Sequence, residues 1–354
     1  MNSWIFKENN FDLIRLIAAA QVAVLHTNEF MFREKTGTVF FEVLRLFPGV
    51  PIFFFISGYL ISKSFERSNN VLEYSRNRIF RIFPALIVCV FVNIVMVWST
   101  GYFSKTNPSL LDVVTLFLAK ISFLQFYNPD FMRQFGDGVL NGSLWTICVE
   151  LQFYVLTPIL YFVLFKQKKH INSILIGLIV VFALLNRLLI HLGPEYSHEI
   201  WWKLFRVSFI PWIYMFLAGV LCQKNFATLS NHLSKIPFWP ILIVYTVAAY
   251  IASINGTGFG NGISPLVFFP LIVVIFKFAY FAPTLARRTL KGNDISYGIY
   301  IWHMPIVNQM LYFNWRTEEW QANLAIALSI VLAVLSWFII EKPALRLKHY
   351  SVRR

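Results

Sequence analysis

The sequence predicts an all-α protein, a polytopic membrane helix bundle of about ten transmembrane helices. Three observations support this fold class. Hydrophobic residues make up 57% of the 354 residues and charged residues only 14%, which excludes an ordinary soluble globule. Apolar runs of about 20 residues, long enough to cross a bilayer, recur along the chain. Basic residues concentrate in alternate loops, as cytoplasmic loops do, so the net charge of +14 indicates topology rather than nucleic-acid binding.

The charge distribution favours ten spans with both termini in the cytoplasm. Residues 341–354 then form a basic cytoplasmic tail. We interpret the apolar segment 111–127 as a re-entrant or interfacial helix, because counting it as a span would place Lys166, Lys168 and Lys169 outside. The spans are predicted at 11–30, 47–63, 79–99, 141–165, 171–191, 206–222, 237–254, 262–281, 294–313 and 322–340.

The whole chain, residues 1–354, is predicted to be a single integral membrane domain. Helices and short loops use all of its length, so no separate soluble domain is expected. No cleavable signal peptide is expected either, because the first apolar run carries Arg15 and lacks a small-residue cleavage site. The three cysteines, Cys89, Cys148 and Cys222, lack metal-ligand spacing, so we expect no metal site.

The first predicted span carries Asp12, Arg15 and His26 in an otherwise apolar stretch. An ionisable group at membrane depth costs free energy and is found where it faces a protein interior or a water-filled cavity. Arg15 and His26 are eleven residues apart in the sequence. They therefore lie on one stripe of the helix, about 16 Å apart. One helix thus offers a fixed cation and a titratable imidazole.

The fourth predicted span carries a polar stripe on one face. Glu150 is placed at a depth similar to that of His26, so we expect the two side chains to meet as a general base and the carboxylate that orients it. A buried structural ion pair is the alternative. Trp145 and Tyr154 flank the carboxylate along the helix. The stripe consists of Ser143, Thr146, Glu150, Tyr154 and Thr157.

Three arginines mark the entrance of the third span. Arg78 and Arg81 share a helix face, and Arg76 lies just before them. Guanidinium groups suit phosphate oxygens, so the cluster is a candidate phosphate site. A positive-inside anchor explains the same residues.

Two further spans contain small or polar side chains among aromatic ones. Ser57 and Gly58 make a notch in the second span, which fits a ligand contact and close helix packing equally well. In the ninth span Ser296, Tyr300 and His303 share one face, and Pro305 can bend the helix. His303 is a candidate supporting or acceptor-binding residue, with a satisfied interior histidine as the alternative.

Taken together, these stretches resemble the acyltransferase family 3, the membrane acyl-CoA-dependent O-acyltransferases of bacterial surface glycans. The resemblance covers residues 12 to about 305. It rests on the Arg15-to-His26 spacing, Phe54-Phe55-Ile56-Ser57-Gly58-Tyr59, Arg78 with Arg81, Leu144-Trp145-Thr146, Val149-Glu150, Phe153-Tyr154, Ser296-Tyr297 and Trp302-His303.

The resemblance implies acetyl-CoA as the usual donor on the cytoplasmic side and a sugar hydroxyl as the acceptor, in the bacterial inner membrane. His26 and Glu150 would be catalytic, and Arg15, Arg76, Arg78 and Arg81 would bind the donor. Ser57, Gly58, Trp145, Thr146, Tyr154 and His303 would bind substrate or support the site. Some relatives carry an extra-membrane esterase-like domain, which is not expected here, so the membrane domain would acylate its acceptor directly.

A membrane transporter is the rival interpretation. His26, Glu150 and Arg15 would then form a proton or substrate relay without chemistry. The sequence lacks the inverted repeats and paired broken helices common in secondary transporters, which favours the enzyme. The sequence leaves open the identity of the glycan, the length of the acyl group, the oligomeric state, and direct transfer against an acyl-enzyme intermediate.

Overall fold

The computed structural model describes residues 6–32, 38–164, 169–255 and 260–350, and all regular secondary structure in these ranges is helical. The predicted loop residues Lys166 and Lys168 and the tail residues 351–354 lie outside the described residues. The α-helices are α1 Phe11–Met31, α2 Val39–Arg45, α3 Gly49–Arg67, α4 Val71–Ser99, α5 Tyr102–Thr106, α6 Leu110–Lys120, α7 Trp145–Val163, α8 Ile171–Tyr196, α9 Ile200–Arg206, α10 Ile213–Lys224, α11 Phe226–Leu233, α12 Phe238–Ile254, α13 Pro265–Phe281, α14 Leu285–Leu290, α15 Ser296–Tyr312, α16 Glu319–Ser336 and α17 Lys342–Tyr350.

Several of these helices have the length and apolarity of membrane spans. Within the described residues, five segments qualify, and a sixth is the pair α11 and α12, which is bent by 97°. Helices α10 and α13 are apolar but shorter. An all-helical membrane bundle is therefore confirmed, while ten spans and cytoplasmic termini stay predictions. The five segments are Val39–Arg67, Val71–Ser99, Gly142–Val163, Ile171–Tyr196 and Glu319–Leu347.

The segment predicted to be re-entrant or interfacial contains the short helix α6. Its 11 residues extend about 16 Å, roughly half of the hydrocarbon thickness of a bilayer. The helix begins in a capping box: the Asp112 amide donates to Ser109 Oγ at 3.2 Å, and the Ser109 amide donates to Asp112 Oδ2 at 3.0 Å. The exposed cap and the short length agree with a helix that does not cross the membrane.

The chain divides into two compact units. The described residues within Met1–Ala18, Glu42–Val71 and Gln152–Asp294 form the first unit. Those within Ala19–Phe41, Leu72–Leu151 and Ile295–Arg354 form the second. Helices α1, α2, α4 and α7 supply residues to both.

In the first unit, α3 and α10 approach each other backbone to backbone at two glycines. A Cβ added to Gly58 would overlap the carbonyl oxygen of Phe216 and lie 2.7 Å from its carbonyl carbon. A Cβ added to Gly219 would lie 2.7 Å from the Tyr59 amide nitrogen. Small residues permit such close packing of membrane helices. Of the two interpretations of the Gly58 notch, the structure favours helix packing, because α10 fills it.

Asn10 joins the start of α1 to α13 and α14 in the first unit. Its Nδ2 donates to the carbonyls of Phe278 and Ala282 at 3.2 and 2.8 Å, and its Oδ1 accepts from the Ala286 amide at 2.9 Å. Its own amide donates to the Ala279 carbonyl at 2.8 Å. Asn10 is fully buried with these bonds made, so it ties residues at opposite ends of the sequence together.

In the second unit α15 is the central helix, and almost all of its side chains are buried. Gly298 packs against α16 so closely that a Cβ would lie 2.8 Å from the Ala333 Cα. Apolar side chains of α1, α15 and α16 form a core cluster farther along the helix. Its members are Met31, Ile306, Val307, Met310 and Ala325.

The second unit also buries a lysine outside the predicted spans. Lys120, at the end of α6, is 2% exposed, and its Nζ donates to the Gln125 carbonyl at 2.7 Å. Burial lowers the pKa of Lys120 to about 8, against the opposing effect of the nearby Asp137 carboxylate. Burial raises the pKa of Asp137 to about 6, although hydrogen bonds and the Lys120 charge act the other way. Each of the two charges therefore stabilises the ionised form of the other group in a poorly solvated environment.

We expect a Lys120→Met variant to lose stability relative to the wild type as the pH rises from 5 to 7.5. The pKa of Asp137 is raised in the folded state, so its contribution to stability is complete below the unfolded value of 3.8 and is lost as the pH rises through about 6. Without the ammonium group this loss becomes larger. Thermal unfolding in detergent should show a difference of roughly 1 kcal/mol, or about 1–2 °C for a chain of this length.

Lys203→Met is the matched control, since Lys203 is exposed on α9. Its melting temperature relative to the wild type should not change with pH. If the melting temperature of Lys120→Met differs from that of the wild type by the same amount at every pH in this range, Lys120 does not stabilise the Asp137 carboxylate.

Candidate active site

Two histidines from distant parts of the sequence meet in the second unit. His26 Nδ1 of α1 lies 3.0 Å from His303 Nε2 of α15, and the ring centroids are 5.2 Å apart. His303 is fully buried, whereas His26 is half-buried. Of the two imidazoles, His26 is therefore the more exposed.

The hydrogen bonds fix the tautomer of each ring. His303 Nδ1 lies 3.1 Å from the Ile299 carbonyl oxygen one turn earlier. A carbonyl only accepts, so the His303 hydrogen is on Nδ1 and the Nε2 lone pair accepts from His26 Nδ1. With its hydrogen on Nδ1, neutral His26 carries its lone pair on Nε2. The pair thus presents an oriented base on the partly accessible ring.

A tyrosine connects the histidine pair with α7. The Tyr300 ring packs against His303 with centroids 5.9 Å apart, and its hydroxyl lies 2.6 Å from Thr146 Oγ1. Thr146 donates its own hydrogen to the Ser143 carbonyl at 3.1 Å, so the Tyr300 hydroxyl is the donor to Thr146. Thr146, Tyr300 and His303 therefore belong to one cluster, and Glu150 follows Thr146 by one helical turn on α7.

The structure thus gives His26 a different hydrogen-bonding partner from the one expected. We expected Glu150 to orient the imidazole, and His303 is the residue that does so. Glu150 is half-buried on α7, the helix whose Thr146 bonds the Tyr300 hydroxyl. The pairing of two histidines was missed, although the shared face of Tyr300 and His303 had marked α15 as a candidate.

Arg15 has a carboxylate partner that the sequence did not reveal. Its Nη1 lies 2.9 Å from Asp294 Oδ2 and 4.0 Å from Asp12 Oδ1, all within the first unit. The Arg15 side chain keeps 21% of its surface exposed. The ion pair holds the guanidinium in place and leaves part of it open to a ligand.

Arg81 of α4 also meets a carboxylate, in the second unit. Its Nη1 lies 3.7 Å from Glu341 Oε2, and its guanidinium carbon lies 5.9 Å from the centre of the Trp337 ring. Trp337–Glu341 is a π-helical stretch, and Glu341 Oε1 accepts from Ser336 Oγ at 3.0 Å. Arg76 and Arg78, on the same helix, are half-buried and also engaged. The cluster is thus partly neutralised by a buried acid.

The remaining predicted site residues lie on two helices. Ser57 is half-buried on α3, next to the glycine that packs against α10. Trp145 is half-buried at the start of α7, and Tyr154 is buried further along it. Their roles in substrate binding stay predictions. Over the ranges that the structure describes, no group of three or more His, Cys, Asp or Glu side chains is arranged to hold a metal ion.

Comparison with known proteins identifies related sequences along nearly the full length. A sequence model of the family described as an acyltransferase domain matches residues 8–342. The chain is 29% identical to nodulation protein 10 of Rhizobium leguminosarum bv. viciae, over 98% of this chain and 95% of that protein. It is 29% identical to the O-acetyl transferase of Shigella phage Sf6, over 95% of this chain and 96% of that protein.

A third relative is larger. The chain is 25% identical to the peptidoglycan O-acetyltransferase OatA of Listeria monocytogenes, over 94% of this chain and 55% of that protein. No solved structure matches the chain at a significant level.

Proposed function

The chain belongs to the acyltransferase family, and from this premise we propose that it transfers an acyl group, with acetyl as the usual group, from acyl-CoA to a sugar hydroxyl of a surface or exported glycan. Two relatives named as O-acetyltransferases support O-acyl transfer. The donor would enter from the cytoplasm and the acceptor from the outer side, in a multi-pass protein of the bacterial inner membrane. The apolar helical spans suit a bilayer.

The oriented histidine pair is the observation that carries this proposal. His26 Nε2 takes the proton of the acceptor hydroxyl as the oxygen attacks the thioester carbonyl. The carbon–sulfur bond breaks, and the CoA thiolate takes that proton from the imidazolium. His303 accepts from His26 Nδ1 throughout, and this bond becomes stronger while His26 is charged. Glu150, one helical turn after Thr146 on α7, is the proposed carboxylate that stabilises this positive charge.

The arginines are the proposed contacts of the donor. Arg15, Arg76, Arg78 and Arg81 would bind CoA phosphate groups by charge-assisted hydrogen bonds. Arg15 and Arg81 already meet Asp294 and Glu341, which fix their guanidinium groups before the donor arrives. Preorganised cations bind at a lower cost in side-chain entropy.

The proposal is tested by incubating membranes that contain the protein with radiolabelled acetyl-CoA and a crude glycan fraction from the same cells. We expect label in the glycan, at a level well above that of membranes without the protein. Uptake or export of a solute without any requirement for acetyl-CoA would instead show a transporter. Mass spectrometry of the glycan from cells with and without the protein should show a difference of one acetyl unit.

A further inference from the structure

A proline in α15 leaves one backbone carbonyl without its usual helical partner. Pro305 has no amide hydrogen, so the Ile301 carbonyl one turn earlier receives no hydrogen bond from within the helix. Two side chains take its place. Asn141 Nδ2 donates to the Ile301 oxygen at 2.9 Å, and Cys89 Sγ donates at 3.3 Å. Because Ile301 lies between Tyr300 and His303, this carbonyl is anchored in the middle of the candidate site.

The other end of the Asn141 side chain is fixed as well. Its Oδ1 accepts from the Ser143 amide at 3.1 Å and from Ser143 Oγ at 2.7 Å. Asn141 thereby caps the short helix Gly142–Leu144, which leads directly into α7. One amide group, 3% exposed, connects the start of α7 with the bend of α15. Those two helices carry Thr146, Glu150, Tyr300 and His303.

We propose that Asn141 is a positioning residue, which places His303, and through it His26, for acyl transfer. This inference rests on the proposed function. The Asn141 bond holds the α15 backbone within one turn of the His303 ring. It does so at the one carbonyl of α15 that lacks a helical hydrogen bond because of a proline. A shift of that backbone moves His303 Nε2 away from His26 Nδ1 and releases the His26 tautomer.

Asn308 offers a matched control on the same helix. It is fully buried, its Nδ2 donates to the Val139 carbonyl at 2.9 Å, and its Oδ1 accepts from the Asp137 amide at 3.1 Å. Like Asn141, it ties the loop before α7 to α15. Its bonds lie beyond Pro305 and do not involve Ile301. Replacing Asn308 therefore removes a similar number of hydrogen bonds to the replacement of Asn141 but leaves the Ile301 carbonyl bonded.

The test compares purified Asn141→Leu and Asn308→Leu in acetyl transfer. For Asn141→Leu we expect kcat to fall about 100-fold, with both KM values changed less than about 3-fold, because misplacement of a reacting group by about 1 Å has an effect of this size. For Asn308→Leu we expect less than a 3-fold change in kcat. Equal losses of kcat in the two variants would overturn the proposal.

Two further variants separate positioning from stability. Adding Pro305→Ala to Asn141→Leu gives the Ile301 carbonyl a helical donor, so the melting temperature should recover while kcat does not. Recovery of kcat as well would show that Asn141 only satisfies a buried carbonyl. If Asn141→Leu does not fold, Asn141→Asp replaces it in the same comparison of kcat and KM. The aspartate keeps both acceptor bonds to Ser143 and removes the donor to the Ile301 carbonyl.

A readout independent of activity keeps this inference separate from the proposed function. Nitrogen NMR of histidine-labelled protein distinguishes ring nitrogens with and without hydrogen. We expect the wild-type pattern, with hydrogen on Nδ1 of both His26 and His303, to be lost in Asn141→Leu and kept in Asn308→Leu. An unchanged pattern in Asn141→Leu overturns the proposal. If the NMR pattern changes as expected but the wild-type protein has no transferase activity, the result contradicts the proposed function and leaves the positioning role of Asn141 intact.

Discussion

Acetylation of the glycan is expected to disappear when His26 is replaced by alanine. The variant lacks the proposed general base for the acceptor hydroxyl, and loss of such a group lowers a rate by about 10²–10⁴-fold. The His26 side chain is half-buried, so its truncation should leave the amount of protein in the membrane unchanged. Transfer of label from acetyl-CoA to the glycan, normalised to the membrane level of the protein, measures the effect.

His191→Ala is the control for this experiment. His191 is exposed on α8 and lies outside the histidine pair, so wild-type acetylation is expected. If cells with His26→Ala still acetylate the glycan at the wild-type level, the imidazole has no part in the mechanism.

The second large effect is expected from Gly58→Ala, through folding rather than chemistry. The new methyl group would overlap the Phe216 carbonyl oxygen of α10, and the nearest atoms that it meets all belong to the Phe216 backbone. No side-chain rotation relieves such an overlap, so α3 and α10 must separate. We expect a loss of about 3 kcal/mol in the free energy of unfolding, the upper end of the usual range for overpacking, and little folded protein in the membrane. Thermal unfolding in detergent measures the loss of stability, and the amount of protein in the membrane measures the loss of folded protein.

Gly177→Ala provides the matched comparison. Gly177 lies in α8, and no atom is within 4 Å of the position of its added Cβ. The same substitution in open space should stabilise the helix by up to about 1 kcal/mol. If Gly58→Ala has the melting temperature of the wild type, then α3 and α10 are not packed so closely that a methyl group at position 58 forces them apart.

Local patterns in the sequence were sufficient for part of this description. The helical nature of the first span follows from its composition, and α1 runs continuously through Arg15 and His26. Periodicity also placed Tyr300 and His303 on one face of their helix. These are properties of single helices, which depend on residues three or four positions apart.

The pairing of those faces did not follow from the sequence. Both Glu150 and His303 were on polar faces at suitable depth, and spacing along a helix does not tell which neighbour a face meets. The partner of Arg15, Asp294, is 279 positions away. The Gly58 notch had two interpretations for the same reason, since the Phe216 backbone that fills it belongs to another helix. Tertiary packing decided each case.

The separation between bonded residues has a consequence for biosynthesis. His26 and His303 are 277 positions apart, and Asn10 bonds a carbonyl 272 positions later. At 5–20 residues per second, a ribosome needs roughly 15–55 s to add the intervening chain. Throughout that interval α1 lacks both of these bonding partners. A nascent chain arrested before α15 therefore lacks the histidine pair, so under the proposed function we expect activity only once translation is nearly complete.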